Sequence, residues 1–230
     1  MFDINAIDFQ RVAIFLIPMF LGIILHEVAH GYAAYRFGDP TAKMLGRLTL
    51  NPVKHIDPTG LLVFILTALF APFAIGWAKP VPVNARYFKN PVRDMAITSF
   101  VGPLTNFMLA IVFALRMLLV AGVPFLREVA ASTPALWQVL EAGIWINILL
   151  AWFNLLPIPP MDGSHILYSV LPRSIGNTYV KIGRYGMIIV IVLLATGMLW
   201  KVLGPLLLES TNIIIKIFNL PPLWQWTLFQ

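Results

Sequence analysis

An all-α polytopic membrane protein is the fold class this sequence predicts, with about five or six membrane helices or re-entrant segments and a small strand-like element at the membrane surface. Three observations predict it. Hydrophobic residues make up 59% of the chain and charged residues only 11%, too little charge to cover a water-soluble surface. The mean hydropathy of +0.83 says the same. Apolar runs also recur along the 230 residues, several of them near the roughly 20 residues a helix needs to cross the hydrocarbon layer.

The first run covers residues 12–37, interrupted from His26 to His30 by groups that are costly in lipid. Gly38, Asp39 and Pro40 then end the helix. Residues 41–57 alternate weakly around Leu45, Leu48 and Leu50, which reads as short strands or a loop at the membrane surface. A second run, 60–77, contains Pro72. Residues 79–93 are basic and Pro-rich, an ordered loop with short extended pieces. The third run spans 95–120 and the fourth 136–156; the Pro-rich segment 157–162 closes the fourth and leads to a short helix through Leu171. The fifth run is 185–202. The sixth, 206–220, carries Glu209 and Lys216 and reads as a tilted or interfacial helix. Trp224, Trp226 and Phe229 read as an interfacial aromatic belt. No internal repeat or long hydrophilic segment breaks the pattern, so residues 1–230 are read as one domain, with a core of about 12–170 and C-terminal helices at about 180–220.

Charge and cysteine content narrow the function classes. The formal charge of +6 sits in short loops between apolar runs, which points to anionic lipid and away from nucleic acid. Cysteine is absent, so a metal site must draw on His, Asp, Glu or neutral oxygen ligands. A cleavable signal peptide of the usual form is not expected, because no basic region precedes the first run.

The chemistry concentrates at His26-Glu27-Val28-Ala29-His30. Histidines four apart on a helix share a face, so both imidazoles can reach one zinc ion. Glu27 stands one position round, placed to take a proton from a water the ion activates. A hydrolytic zinc site needs a third protein ligand. Asp162 is the strongest candidate: it follows a long apolar run, prolines at 157, 159 and 160 restrict the backbone before it, and Gly163 permits a tight turn after it. The alternative is a plain N-cap for the next helix. His165 follows three residues later and is a weaker candidate. His55, between two prolines and near Asp57, could steady substrate, relay protons, occupy an open metal position, or simply pair with Asp57.

His26 to His30 on the first run, Gly102-Pro103-Leu104-Thr105-Asn106 early in the third, and Asn154-Leu155-Leu156-Pro157-Ile158-Pro159 leading into Asp162-Gly163 resemble the site-2 protease family of intramembrane zinc metalloproteases. The likeness extends over residues 12 to about 170. Gly31, Gly38-Asp39-Pro40, Gly46-Arg47, Asn51-Pro52 and the stretch from His55 to Pro58 are similar to its small bacterial and archaeal branch, which often lacks PDZ and CBS domains. The resemblance implies one zinc per chain, bound by His26, His30 and Asp162, with Glu27 as general base. It also implies catalytic roles for Asn106 and Asn154, whose amides could donate to substrate backbone or to the developing oxyanion. The implied activity is endopeptidase cleavage in or near transmembrane segments, serving regulated intramembrane proteolysis or clearance of signal-peptide remnants. The partners that follow are transmembrane proteins or peptides and the lipid of the cell membrane, with a homodimer left open.

The charge pattern then orients the chain. Lys79, Arg86, Lys89 and Arg93 precede the third run, and Arg173, Lys181 and Arg184 follow the fourth, so the positive-inside rule places the site nearer the cytoplasm. A full crossing by 60–77 would put Asn106 at the wrong depth; a re-entrant hairpin is preferred over a partial return by 41–57. An extended substrate is expected to pair with an edge formed by 41–57. A metal transporter and a non-enzymatic membrane binder are the rival functions. The absence of a second set of intramembrane carboxylates argues against the first, and the intact residues of the motif argue against the second.

Overall fold

The computed structural model describes residues 9–70 and 76–220. Helix α1 (Phe9–Arg36) carries the first apolar run and keeps Pro18 inside it. It stops where Gly38 takes φ 105, a conformation glycine adopts without a Cβ penalty. Its 28 residues make a rod of roughly 42 Å. His26 and His30 fall roughly 15 and 9 Å short of its C-terminal end, inside the thickness of a bilayer.

Residues 41–57 depart from the strand expectation. Helix α2 (Thr41–Met44) is a single turn, Gly46 at φ 61 reverses the chain, and Pro52–Lys54 forms a 3-10 turn whose start is capped by the Asn51 side chain accepting from the Val53 N–H. The backbone donors are spent locally: Arg47 N–H on the Ala42 carbonyl and His55 N–H on that of Pro52. The alternation that suggested strands sets exposure along a run of turns, with Leu45 and Leu50 outside and Leu48 against Gly31 of α1. No strand occurs among the described residues, so the proposed pairing of a substrate with a 41–57 edge has no basis in this fold.

Helix α3 (Pro58–Phe70) has 13 residues, roughly 20 Å, too short for a hydrocarbon layer of about 30 Å. A Cβ at Gly60 would overlap the Trp77 carbonyl, and one at Gly76 would lie 2.6 Å from Phe64 Cβ. The chain therefore leaves and returns at the same end of α3, as a re-entrant segment does; Pro72 lies outside the described residues.

Helix α4 (Pro91–Gly122) is the longest, with Pro at its start. The short α5 (Pro124–Ser132) and the apolar α6 (Pro134–Asn154) follow. Beyond a loop containing the cis peptide Pro159–Pro160 come α7 (Asp162–Val170), α8 (Arg173–Gly183), α9 (Gly186–Ala195) and α10 (Met198–Phe218). The expected fifth and sixth runs are divided elsewhere than hydropathy suggested. Gly197 at φ 70 ends α9 before residue 198, and α10 then runs unbroken through Pro205. Among the described residues four helices, Ile14–Arg36, α4, α6 and α10, are long and apolar enough to span, and a fifth span results if α8 and α9, bent by 65°, count as one. The protein is multi-pass. The expected aromatic belt at 224–229 lies outside the described residues.

Contacts fix the relative directions of the central helices. His30 meets Thr98 while His26 meets Asn106, so α1 and α4 are antiparallel. Phe107 stacks edge-on against Trp152 while Phe113 lies against Gly143, so α4 and α6 are antiparallel too. Helices α1 and α6 therefore run the same way and deliver their C-terminal ends to one depth, as a metal site shared by His26, His30 and Asp162 would require. Ala110, Ala114, Met117, Ile144, Ile148 and Leu207 fill the seam between α4, α6 and α10, and the Trp152 indole N–H donates to Ser210 Oγ at 2.9 Å.

Candidate metal centre

Three side chains distant in sequence converge. His26 Nε2 lies 3.1 Å and His30 Nε2 3.3 Å from Asp162 Oδ2, and the two Nε2 atoms are 2.9 Å apart. Tetrahedral zinc with ligands at about 2.0–2.2 Å holds ligand atoms roughly 3.3–3.5 Å from one another. The observed triangle is within a few tenths of an ångström of that. Among the described residues His26, His30 and Asp162 form the group of this kind able to hold a metal.

The far side of each imidazole decides which nitrogen on the near side is free to bind a metal. His30 Nδ1 lies 2.7 Å from the Thr98 carbonyl, which can only accept, so Nδ1 carries the proton and Nε2 presents its lone pair. His26 Nδ1 lies 2.6 Å from Asn106 Oδ1. The Asn106 amide is oriented by its own donations, to the Gly22 carbonyl at 3.2 Å and to Asn147 Oδ1 at 3.1 Å. His26 Nδ1 must then donate, and its Nε2 also faces the site as a lone pair. Metal-binding histidines are typically held by such partners. Both Asn106 N–H groups are thus used within the protein, which contrasts with the sequence expectation that they reach substrate.

Helix α4 comes this close because Gly102 has no side chain. A Cβ there would overlap His30 Nε2 and Cε1 and lie 2.7 Å from His26 Cε1. Asp162 is delivered by the sharp entry to α7, where Gly163 sits against the end of α6; a Cβ there would overlap the Leu155 carbonyl.

Glu27, one residue on from His26, faces a cavity of about 390 Å³ that also takes in Asn154, Phe153, Leu150, Trp200 and Leu203. Glu27 Oε2 accepts the Val81 N–H at 2.7 Å. Val81 is buried between Pro80 and Pro82, and its segment is anchored at Lys79, whose N–H donates to the His55 carbonyl at 2.8 Å and whose carbonyl accepts from Arg47 Nη2 at 2.7 Å. Asn154 lines the cavity and donates Nδ2 to the Leu150 carbonyl at 2.9 Å. His55 stands outside the ligand group, buried, its Nε2 donating to the Thr49 carbonyl at 2.8 Å. His165 is exposed on α7, one turn after Asp162, and outside the group.

Sequence reading missed Asn147, Gly22, Val81 and Thr98. Asn147 carried a signal, since an amide within an apolar membrane run needs a partner. Thr98 and Val81 act through backbone atoms, which no residue type announces.

A membrane-embedded helix bundle with two histidines and an aspartate round one point, and a glutamate beside them, defines an intramembrane zinc metalloprotease. Residues 14–197 match the profile of peptidase family M50, and the chain belongs to that family. It is 40% identical to YwhC of Bacillus subtilis over 206 residues, covering 89% of this chain and 90% of that one. It is 32% identical to Rip2 of Mycolicibacterium smegmatis, covering 84% and 71%, and 24% identical to the zinc metalloprotease MJ0392 of Methanocaldococcus jannaschii, covering 90% and 47%. No solved structure matches the chain significantly.

Proposed function

We propose that this protease holds one zinc ion per chain on His26 Nε2, His30 Nε2 and Asp162 Oδ2, and that Glu27 is its general base against peptide bonds of transmembrane segments, all within one domain. The convergence of those three atoms, with both histidine Nδ1 protons tied off behind them, is the observation that carries the reading. Zinc supplies Lewis acidity, lowering the pKa of water and polarising the scissile carbonyl. Glu27 Oε2 is held by Val81, which leaves Oε1 to take the proton from the attacking water and return it to the leaving amine. The cavity beside Glu27 gives an apolar substrate side chain a place next to the reacting bond. Asn106 serves by holding His26. His55 serves by bracing the Val81 segment. The basic loop before α4 supports an orientation with that end of α4 in the cytoplasm.

Metal analysis of the purified protein beside H26A, H30A and D162A tests the ligand set. About one zinc per wild-type chain and its loss in each variant is the expected outcome; full zinc in D162A would remove Asp162 from the set.

A further inference from the structure

We propose that Asn147, on α6, is a positioning residue that sets the tautomer of His26 and so presents its Nε2 lone pair to the metal. This rests on the metal reading above and adds to it a residue that touches no ligand atom. Asn147 is fully buried. Its Nδ2 donates to the Gly143 carbonyl, one turn back on its own helix, at 2.8 Å. A backbone carbonyl can only accept, so the Asn147 amide is not free to flip, and its Oδ1 must face α4. There it accepts from Asn106 Nδ2 at 3.1 Å. That donation, with the one to Gly22, turns Asn106 Oδ1 towards His26 Nδ1. The polarity runs in one direction through three helices, from the Gly143 carbonyl to the Nδ1 proton of His26.

The alternative orientation of the Asn106 amide shows what the chain of bonds prevents. With Nδ2 towards His26, Nδ1 would have to accept, the proton would move to Nε2, and the ligand lone pair would be lost. Asn106 has the Gly22 carbonyl to hold its orientation as well, so Asn147 is one of two locks. Gly22 itself makes room for the arrangement, since a Cβ there would stand 2.5 Å from Asn147 Oδ1 and 3.3 Å from Asn106 Nδ2.

The test compares zinc affinity, by competition with a chromophoric chelator, in wild type, N147L and N147D. Leucine keeps the branched shape and removes the acceptor. A protonated aspartic acid keeps both bonds, O–H to Gly143 and C=O from Asn106, and an ionised one keeps the acceptor. Loss of a partner behind a metal ligand typically weakens metal binding about 10–100-fold, so N147L should fall in that range and N147D should return to within about 3-fold of wild type. Melting of the metal-free proteins should not separate N147L from N147D by the same order. Should leucine not fold, N147A removes the same acceptor without bulk. Wild-type affinity in N147L, or equal weakening in N147D, overturns the role of Asn147. A wild-type protein that binds no zinc overturns the metal reading itself.

Discussion

The proposed metal centre depends on glycine at position 102 as well as on its ligands. Helix α4 presses its backbone against both imidazoles, and the hydrogen bonds from His30 to Thr98 and from His26 to Asn106 exist because it does. G102A places a methyl group on His30 Nε2, and either the imidazole or the helix must move. The expected outcome is a folded protein whose zinc affinity is lower by about 10–100-fold, the range found when ligand orientation is disturbed. Chelator competition checks it, and unchanged affinity would mean that α4 stands further from the site than the structure places it. Residue by residue, the cluster of His26, His30 and Asp162 was legible in the sequence, because ionisable groups in an apolar chain must find one another or a metal. The partners behind them were less so: Asn106 was singled out for a role towards substrate, and its bonds instead lead inward to His26, Gly22 and Asn147.

At the scale of elements, the segment from Lys79 to Pro82 holds Glu27, the proposed general base. Pro80 and Pro82 have no N–H, so Val81 offers the one backbone donor of residues 80–82, and it points at Glu27. V81P deletes that donor. A hydrogen bond to a charged group contributes about 1.5–3 kcal/mol, so kcat/KM for a membrane reporter should fall roughly 10–100-fold while zinc content stays at wild-type level. Undiminished cleavage would show that Glu27 needs no such support. Helix boundaries were legible where glycine punctuated a long run, as at Gly38, and were placed a few residues late at Pro91 and Pro134, where the helix starts ahead of the apolar run. They were missed at Gly197, where a single left-handed residue sits within a continuous apolar stretch and hydropathy averages over it. The 41–57 region was misread for a related reason: only Leu48 and Leu50 stand two apart, the period of a strand, and Gly46 and Pro52 spend the backbone in turns before any ladder can form.

For the whole molecule, the antiparallel order of α1, α4 and α6 brings the motif histidines, Asn106 and the residue-162 carboxylate to a single depth. Helix α4, at roughly 48 Å, separates the basic loop at its start from the short α5 beyond its end. Single cysteines at Lys89 and Ser132, both exposed, should therefore label from opposite sides of intact cells, Ser132 from outside and Lys89 only after permeabilisation. Reaction of both from outside would contradict the spanning assignment of α4.

Proteolysis by a glutamate-assisted zinc site is the central claim, and E27Q tests it most directly. Glutamine keeps the size of Glu27 and an oxygen that can accept from Val81, and Glu27 is outside the ligand triangle. Fold and zinc content should therefore be those of wild type. General acid–base catalysis contributes about 10²–10⁴-fold, so cleavage of a single-span reporter, measured in the same detergent preparation as the zinc, should fall by that factor. Full cleavage by zinc-loaded E27Q would contradict the account.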